Sequence, residues 1–552
     1  MRKVDQNRRG VLKAGVGVGG ISALAGAGGA RASEFAGLAK TAAGQRALDV
    51  YLMREAAARN HLLEAFAQPP QRGNTDEETV LNYAASYTKG LQHNGIGEVD
   101  PVAYRTYLTA VRTGTLAAFE AVPLATGAQV KLANPMAAYC MELHGSDSAA
   151  TRIRPAPEFL SPETAAEMVE LYWQALTRDV PFADYSSNSL IGAAVADLNT
   201  KAFQIGPTVG GRLTSASLFR GDSAGDLVGP YISQFLLKDI PYGPTSITQR
   251  YKQPVAGSDY MKVWEEYLAI QNGRLPTRGD VLDATPRYIY NGRSLANWVH
   301  SDFSYQAFLN AALIALGYGR GALASTNPYL NSGNQGNFID FGGPDILNQV
   351  AMAGRVGLAG AWYQKWQVHR RLRPEVMAVR AEIDRGLAEP RYLVHSDIAN
   401  SDAAHRLLSA QGNIMLPMAF PEGSPTHPAY PAGHAAIAGA CTTVLKAFFN
   451  PDFVIPNPVQ ANRDGTALEA ISTSVKLGDE LDKLAANISI GRDIAGVHYR
   501  SDGIDGMLLG EQAGIGLLRD YSMGYPESFD GYLVRRFDGT SVRIRNGTVT
   551  PA

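Results

Sequence analysis

The stretch Pro425-Thr426-His427-Pro428-Ala429-Tyr430-Pro431-Ala432-Gly433-His434 leads into residues 434–449, where apolar residues recur at three- and four-residue spacing. That spacing predicts a helix opened by His434. Gly433 lets the backbone approach a ligand closely and offers its N–H to an oxyanion oxygen. His434 stands where the helix dipole favours a bound anion and depresses the imidazole pKa. Spacing alone does not make this a site, because a helix-opening histidine is a common N-terminal residue.

The same helical spacing recurs over residues 102–122, 163–178, 260–271, 305–316, 347–369, 375–387, 467–486 and 501–518. Ser161-Pro162-Glu163 and Asp402 are start signals. Strand signals are scarce. The clearest is Asp538-Gly539-Thr540 between the alternating runs 532–537 and 541–544, which predicts a β-hairpin. No repeat and no composition shift demands a boundary. The expectation is an all-α fold: one large domain of helical bundles over residues 33–552, with a small C-terminal β-hairpin.

The chain has 552 residues, 45% of them hydrophobic and 18% charged, with a formal net charge of −2. Without a long Lys/Arg run, nucleic acid is not an expected partner. Residues 33–552 hold no apolar run approaching the ~18 residues of a membrane span. The nearest candidate, 307–316, is short and carries Asn310. Residues 1–32 differ. Arg8-Arg9 precedes a Gly/Ala-rich apolar run that ends at Ala30-Arg31-Ala32, which resembles a twin-arginine export signal and implies a periplasmic or extracellular destination. Cys140 and Cys441 are free to pair in such a compartment, but Cys441 lies in an apolar stretch that suits a buried thiol.

Two further motifs flank the opening stretch. In Lys365-Trp366-Gln367-Val368-His369-Arg370-Arg371-Leu372-Arg373-Pro374, the proline disfavours helical geometry at Arg373. Arg373 should therefore sit at a helix end, its guanidinium fork free to grip two oxygens, while Lys365 stays on the helix as a point charge. In the run from Gly491 to Asp502, His498 and Asp502 are four residues apart. On a helix the carboxylate would accept from one ring nitrogen and leave the other free for a metal or phosphorus. With Arg492, the three motifs supply three fixed cations, three imidazoles and one carboxylate. That inventory suits a tetrahedral oxyanion and acid–base chemistry on it.

In this order the motifs resemble the vanadium-dependent haloperoxidases and the acid phosphatases that share their site. The shared pattern is Lys…Arg-Pro, then Pro-Ser-Gly-His, then Arg-x5-His-x3-Asp. Lys365, Arg373, Gly433, His434, Arg492, His498 and Asp502 match it, all within 360–520, and Ala432 stands where the pattern has serine. The loss of that hydroxyl removes a donor worth ~0.5–1.5 kcal/mol net. The resemblance implies vanadate as cofactor, bound to His498 through vanadium. Its oxygens would be held by Lys365, Arg373, Arg492 and the Gly433 amide, with Asp502 orienting His498 and His434 moving protons. Hydrogen peroxide, a halide and a small organic acceptor would be the partners.

The same residues would serve a phosphatase, with His498 as nucleophile and His434 as acid. A non-catalytic oxyanion binder would have no need of both histidines. His427 and Trp362 resemble the second histidine and the halide-site aromatic of the algal and cyanobacterial bromoperoxidase branch, which favours the peroxidase. Many phosphatases of this pattern span membranes, and this chain is not expected to. The branch further implies bromide or iodide as halide, a homo-oligomer, and a calcium ion at a turn carrying Asp340 and Asp345.

Overall fold

The computed structural model describes residues 41–67, 71–223 and 225–552, so the expected export signal at 1–32 lies outside the described residues. The chain divides into two compact units, Met1–Phe66 and Ala67–Ala552. The described part of the first is helix α1 (Ala42–Ala67), rich in Ala, Leu, Arg and Glu, all strong helix formers.

In the second unit, α2 (Pro101–Thr113) is capped by Asp100, whose carboxylate accepts from the N–H of Val102 at 2.6 Å and of Ala103 at 3.0 Å. The helix expected to run on to residue 122 stops at Gly114, left-handed at φ 63°, and Thr115 caps a separate short helix, Leu116–Glu120. Helix α3 (Pro162–Thr177) starts at Ser161 as its sequence signal indicated. Helices α4 (Gly292–Ser301), α5 (Gln306–Gly317), α6 (Gly343–Tyr363), α7 (Pro374–Gly386), α8 (Gly433–Phe448), α9 (Leu477–Ile494) and α10 (Arg500–Tyr521) complete the frame of the site.

Strands are more numerous than expected. Ile240–Tyr242 (β1) pairs with Thr245–Ile247 (β2), and Val459–Ala461 (β3) pairs with Leu468–Ala470 (β4). The helix expected over 467–486 therefore begins only at Leu477. An Asp464-Gly465 turn, with Gly465 at φ 72°, closes the hairpin, and the β-branched run Ile471-Ser472-Thr473-Ser474-Val475 resists helix. At the C-terminus the expected hairpin is two strands of a three-stranded antiparallel sheet: β5 (Tyr532–Arg535), β6 (Ser541–Arg545) and β7 (Thr548–Pro551). The Asn546-Gly547 turn, both residues at positive φ, adds the third strand. The helix expected over 260–271 is likewise shorter, Trp264–Gln271, because Met261 takes φ 57°.

The core centres on α8. All of its residues are buried except His434. Glycines set how closely its neighbours approach: a Cβ on Gly357 of α6 would sit 2.6 Å from the Ala436 carbonyl oxygen, and one on Gly514 of α10 would sit 2.9 Å from the Ala440 oxygen. Only hydrogen fits at such contacts. Among the described residues no helix is long and apolar enough to cross a membrane. Cys140 is exposed and Cys441 is buried, and both are free thiols.

The loop expected to hold calcium is a helix start. Asp345 accepts from the Phe341 N–H at 2.8 Å and from Gln349 Nε2 at 2.7 Å, which commits its carboxylate to the first turn of α6. Asp340 is not part of that arrangement. Among the described residues no group of three or more His, Cys, Asp or Glu side chains could hold a metal ion.

Two stability outcomes are expected. Gly357→Ala should cost about 1–3 kcal/mol through overpacking, read as a lower denaturant midpoint at unchanged slope; an unmoved midpoint would contradict the close α6–α8 approach. The second concerns His369, whose ring nitrogens have no partner among the described residues and whose ring meets the Tyr430 ring edge-on at 4.7 Å. Burial, reinforced by Arg370 and Arg371, pushes its pKa down to about 3. The unfolded imidazole takes a proton below about 6.5, so between those values the unfolded chain binds more protons and stability falls as pH falls. His369→Phe should therefore lose less stability than the parent between pH 7 and pH 4.5 in urea titrations.

Candidate active site

The sequence delivers the first cation through a change of helix type. After Tyr363 the chain makes a π-helical turn, Gln364–His369, that ends at Arg370 with φ 38°. Lys365 sits in this turn, fully buried, and its Nζ donates to the carbonyls of Pro428 and Ala429 at 2.7 Å each. Arg373 is the N-cap of α7, in extended geometry as Pro374 requires. Its guanidinium donates to the His427 oxygen at 2.9 Å and the Val497 oxygen at 2.6 Å, and it reaches His427 Nδ1 at 3.0 Å and His498 Nε2 at 3.1 Å. Arg492, in the last turn of α9, donates to the Val299 oxygen at 2.7 Å; its Nε is buried without a partner among the described residues.

His498 lies in the connection from α9 to α10. Its Nδ1 is 2.9 Å from Asp502 Oδ2. An ionised carboxylate can only accept, so the proton sits on Nδ1 and the Nε2 lone pair points away from Asp502. Arg371 fixes that carboxylate, donating to Asp502 Oδ1 at 2.9 Å and to Glu167 at 3.0 Å, with its guanidinium 3.8 Å from the Tyr499 ring centroid. His434, the second residue of α8, places Nε2 3.1 Å from Asp302 Oδ1, at the C-terminal cap of α4. Trp362 and His427 lie ring to ring, centroids 4.8 Å apart. The seven matched residues, with His427 and Trp362, thus gather at one place. Asp340 and Asp345 belong to a different turn.

Burial and neighbouring cations push every basic group here the same way. Desolvation drives Lys365 well below its usual value, and Arg373 and Arg492 add to the effect. Arg492 falls to about 10, chiefly through burial. His498 and His427 are driven well below 6.5 by burial, then by Arg373 and Lys365. His434 is lowered by burial and Arg492, against which Asp302 pulls it up. Each of these shifts favours the neutral imidazole, and among the described residues Lys365, Arg373 and Arg492 make no ion pair. Ala432 provides no side-chain cap to α8, and among the described residues the amides of Gly433, His434 and Ala435 have no protein acceptor. Free helix amides, a buried unpartnered guanidinium nitrogen and an imidazole lone pair together fit a multiply charged oxyanion.

Sequence reasoning missed three contributors. Asp302 has no local signal, since it reaches His434 only through the α4–α8 packing. Arg371 lay within a quoted motif but read as one of a basic run. Lys89 is buried, donates to the Glu422 oxygen at 2.7 Å and to the Ser424 oxygen, and falls to about 8 through burial.

Residues 348–522 match the family model described as VCPO second helical-bundle domain. Over 498 residues the chain is 36% identical to a vanadium-dependent bromoperoxidase of Ascophyllum nodosum, covering 85% of this chain and 88% of that protein. It is 32% identical to the vanadium-dependent bromoperoxidase of Corallina pilulifera, covering 87% and 94%. The chain belongs to the vanadium-dependent bromoperoxidases. The homohexameric structure of the second vanadate-dependent bromoperoxidase from Ascophyllum nodosum superposes with a TM-score of 0.85 at 28% identity, covering 93% of this chain and 95% of that one. Family membership and geometry agree on a mostly helical frame around the site.

Asp302→Asn should move the acid limb of the pH–rate profile to lower pH. The carboxylate now raises the His434 pKa, so its loss lets burial and Arg492 depress that pKa further. A limb that stays in place would show that Asp302 does not tune His434.

Proposed function

We propose that this chain oxidises bromide, and iodide, with hydrogen peroxide to a hypohalous acid equivalent that halogenates small organic acceptors, with orthovanadate as resident group. The observation that carries this reading is the cluster of buried, uncompensated cations around a histidine lone pair and free helix amides. Lys365, Arg373, Arg492 and the Gly433 amide would hold the oxygens, and His498 Nε2 would hold the metal. Bound there, vanadate supplies a Lewis-acidic centre that activates peroxide toward halide without a change of oxidation state.

The chain's own residues do the rest. Asp502, fixed by Arg371, keeps the proton on His498 Nδ1 and so preserves the Nε2 lone pair for ligation. His434, hydrogen-bonded to Asp302, takes a proton from entering peroxide and returns it to the departing oxygen. Lys365 places positive charge in a dry setting, where it polarises the reacting oxygen most strongly. Arg373 holds His427 against Trp362, and these two rings form the wall we assign to the halide. Cations without carboxylate partners draw the halide inward.

The twin arginines Arg8-Arg9 support export to the periplasm or beyond. The homohexameric neighbour supports self-association of this chain.

Protein reconstituted with orthovanadate should brominate a phenol indicator with peroxide and bromide, and excess phosphate should inhibit. His498→Ala should abolish this activity. Hydrolysis of an aryl phosphate, with vanadate acting only as inhibitor, would install the phosphatase reading instead.

A further inference from the structure

The end of helix α4 serves both the oxyanion site and an open cleft. In its last turn, the Val299 oxygen accepts from Arg492 at 2.7 Å, and Asp302, just beyond it, pairs with His434. From the same turn, Trp298 lines an open cleft of about 590 Å³ that also reaches Asp302. Tyr251, Ile240 and Leu282 add aromatic and apolar wall. A volume of ~300–1,000 Å³ is that of a small-molecule pocket.

The cleft carries two cations and two carboxylates, and these do not pair with one another. Arg250 and Lys252 both line it and are exposed, and among the described residues neither makes an ion pair. Arg250 lies only over the Tyr288 ring, 5.8 Å from its centroid. The two carboxylates of the cleft turn to other partners: Asp280 accepts from the Tyr260 hydroxyl at 2.8 Å, and Asp302 is 3.1 Å from His434. The cleft thus offers an aromatic floor, two unpaired cations and direct adjacency to the acid–base pair.

We propose that this cleft binds the organic acceptor, and that the acceptor is an electron-rich aromatic, such as a phenol, carrying a carboxylate. Arg250 and Lys252 receive the carboxylate, and Trp298 and Tyr251 face the ring. Held there, the ring meets hypohalous acid as it leaves the adjoining site. A ring electron pair attacks the halogen and forms the carbon–halogen bond. The halogen–oxygen bond breaks, hydroxide leaves, and the displaced ring proton converts it to water. The oxidant is the product of the proposed reaction, so this inference rests on that reading.

The test uses 3-(4-hydroxyphenyl)propionate and its methyl ester. Equilibrium binding to the full chain, without peroxide or vanadate, reads the cleft independently of catalysis. The acid should bind about threefold to tenfold tighter than the ester, as expected for two solvent-facing ion pairs. R250Q/K252Q should remove that preference. In turnover, equimolar acid and ester compete in one vessel, so their product ratio is independent of the rate of bromide oxidation. The parent should favour the acid beyond the ratio given by added hypobromous acid, and the double variant should return to it. Equal binding of acid and ester overturns the cleft assignment, as does a parent product ratio equal to that of the free reagent. Preferential binding of the acid without any bromination would retain the cleft and overturn only the proposed reaction.

Discussion

Lys365, Arg373 and Arg492 share one desolvated volume, and what solvates them there is backbone carbonyl rather than carboxylate. The oxygens of Pro428, Ala429, His427, Val497 and Val299 take the hydrogen bonds. A carbonyl dipole stabilises a cation without cancelling its charge, whereas an ion pair would cancel it. Removing such groups from water costs several kcal/mol per ion. The cation field that remains lowers every neighbouring imidazole and lysine. A polyanion placed among these cations would relieve this strain.

Carbonyl solvation works only if the backbone is placed to a few tenths of an ångström, and much of the fold serves that placement. The loop that carries Pro428 and Ala429 runs into α8, and glycine contacts hold α8 against α6 and α10. The π-helical turn after α6 aims Lys365 at that loop. Carboxylates stand one layer back, each tied down: Asp502 by Arg371 and His498, Glu167 by Arg371, and Glu375 by Ser424 Oγ at 2.6 Å. Their charge tunes the site from behind without occupying it.

The sequence made legible the features whose cause is local. Pro374 dictated the extended geometry of Arg373, the spacing of His498 and Asp502 gave their hydrogen bond, and apolar periodicity located most helices. Features that depend on packing between distant segments were not legible. Nothing near Asp302 announces that α4 ends beside His434, and nothing in the basic run of Arg370 and Arg371 says which one reaches Asp502. Helix periodicity also misled where turn chemistry overrode it, as at Gly114 and in the Asp464-Gly465 hairpin. Asn546-Gly547 was a readable turn signal for β7, of the same kind as the Asp538-Gly539 turn beside it.

Ala432 bears most directly on how this site differs from the family pattern. A serine there would be an N-cap hydroxyl for α8, and replacing such a cap with alanine costs about 0.5–2 kcal/mol. Ala432 has no hydroxyl to accept from the first amides of α8, which have no protein acceptor among the described residues. Anion binding and the stability of the α8 N-terminus are therefore linked: the bound oxyanion supplies the cap that the side chain lacks. Because α8 is the helix around which α6 and α10 pack, a cap supplied by an anion would act at the bundle centre.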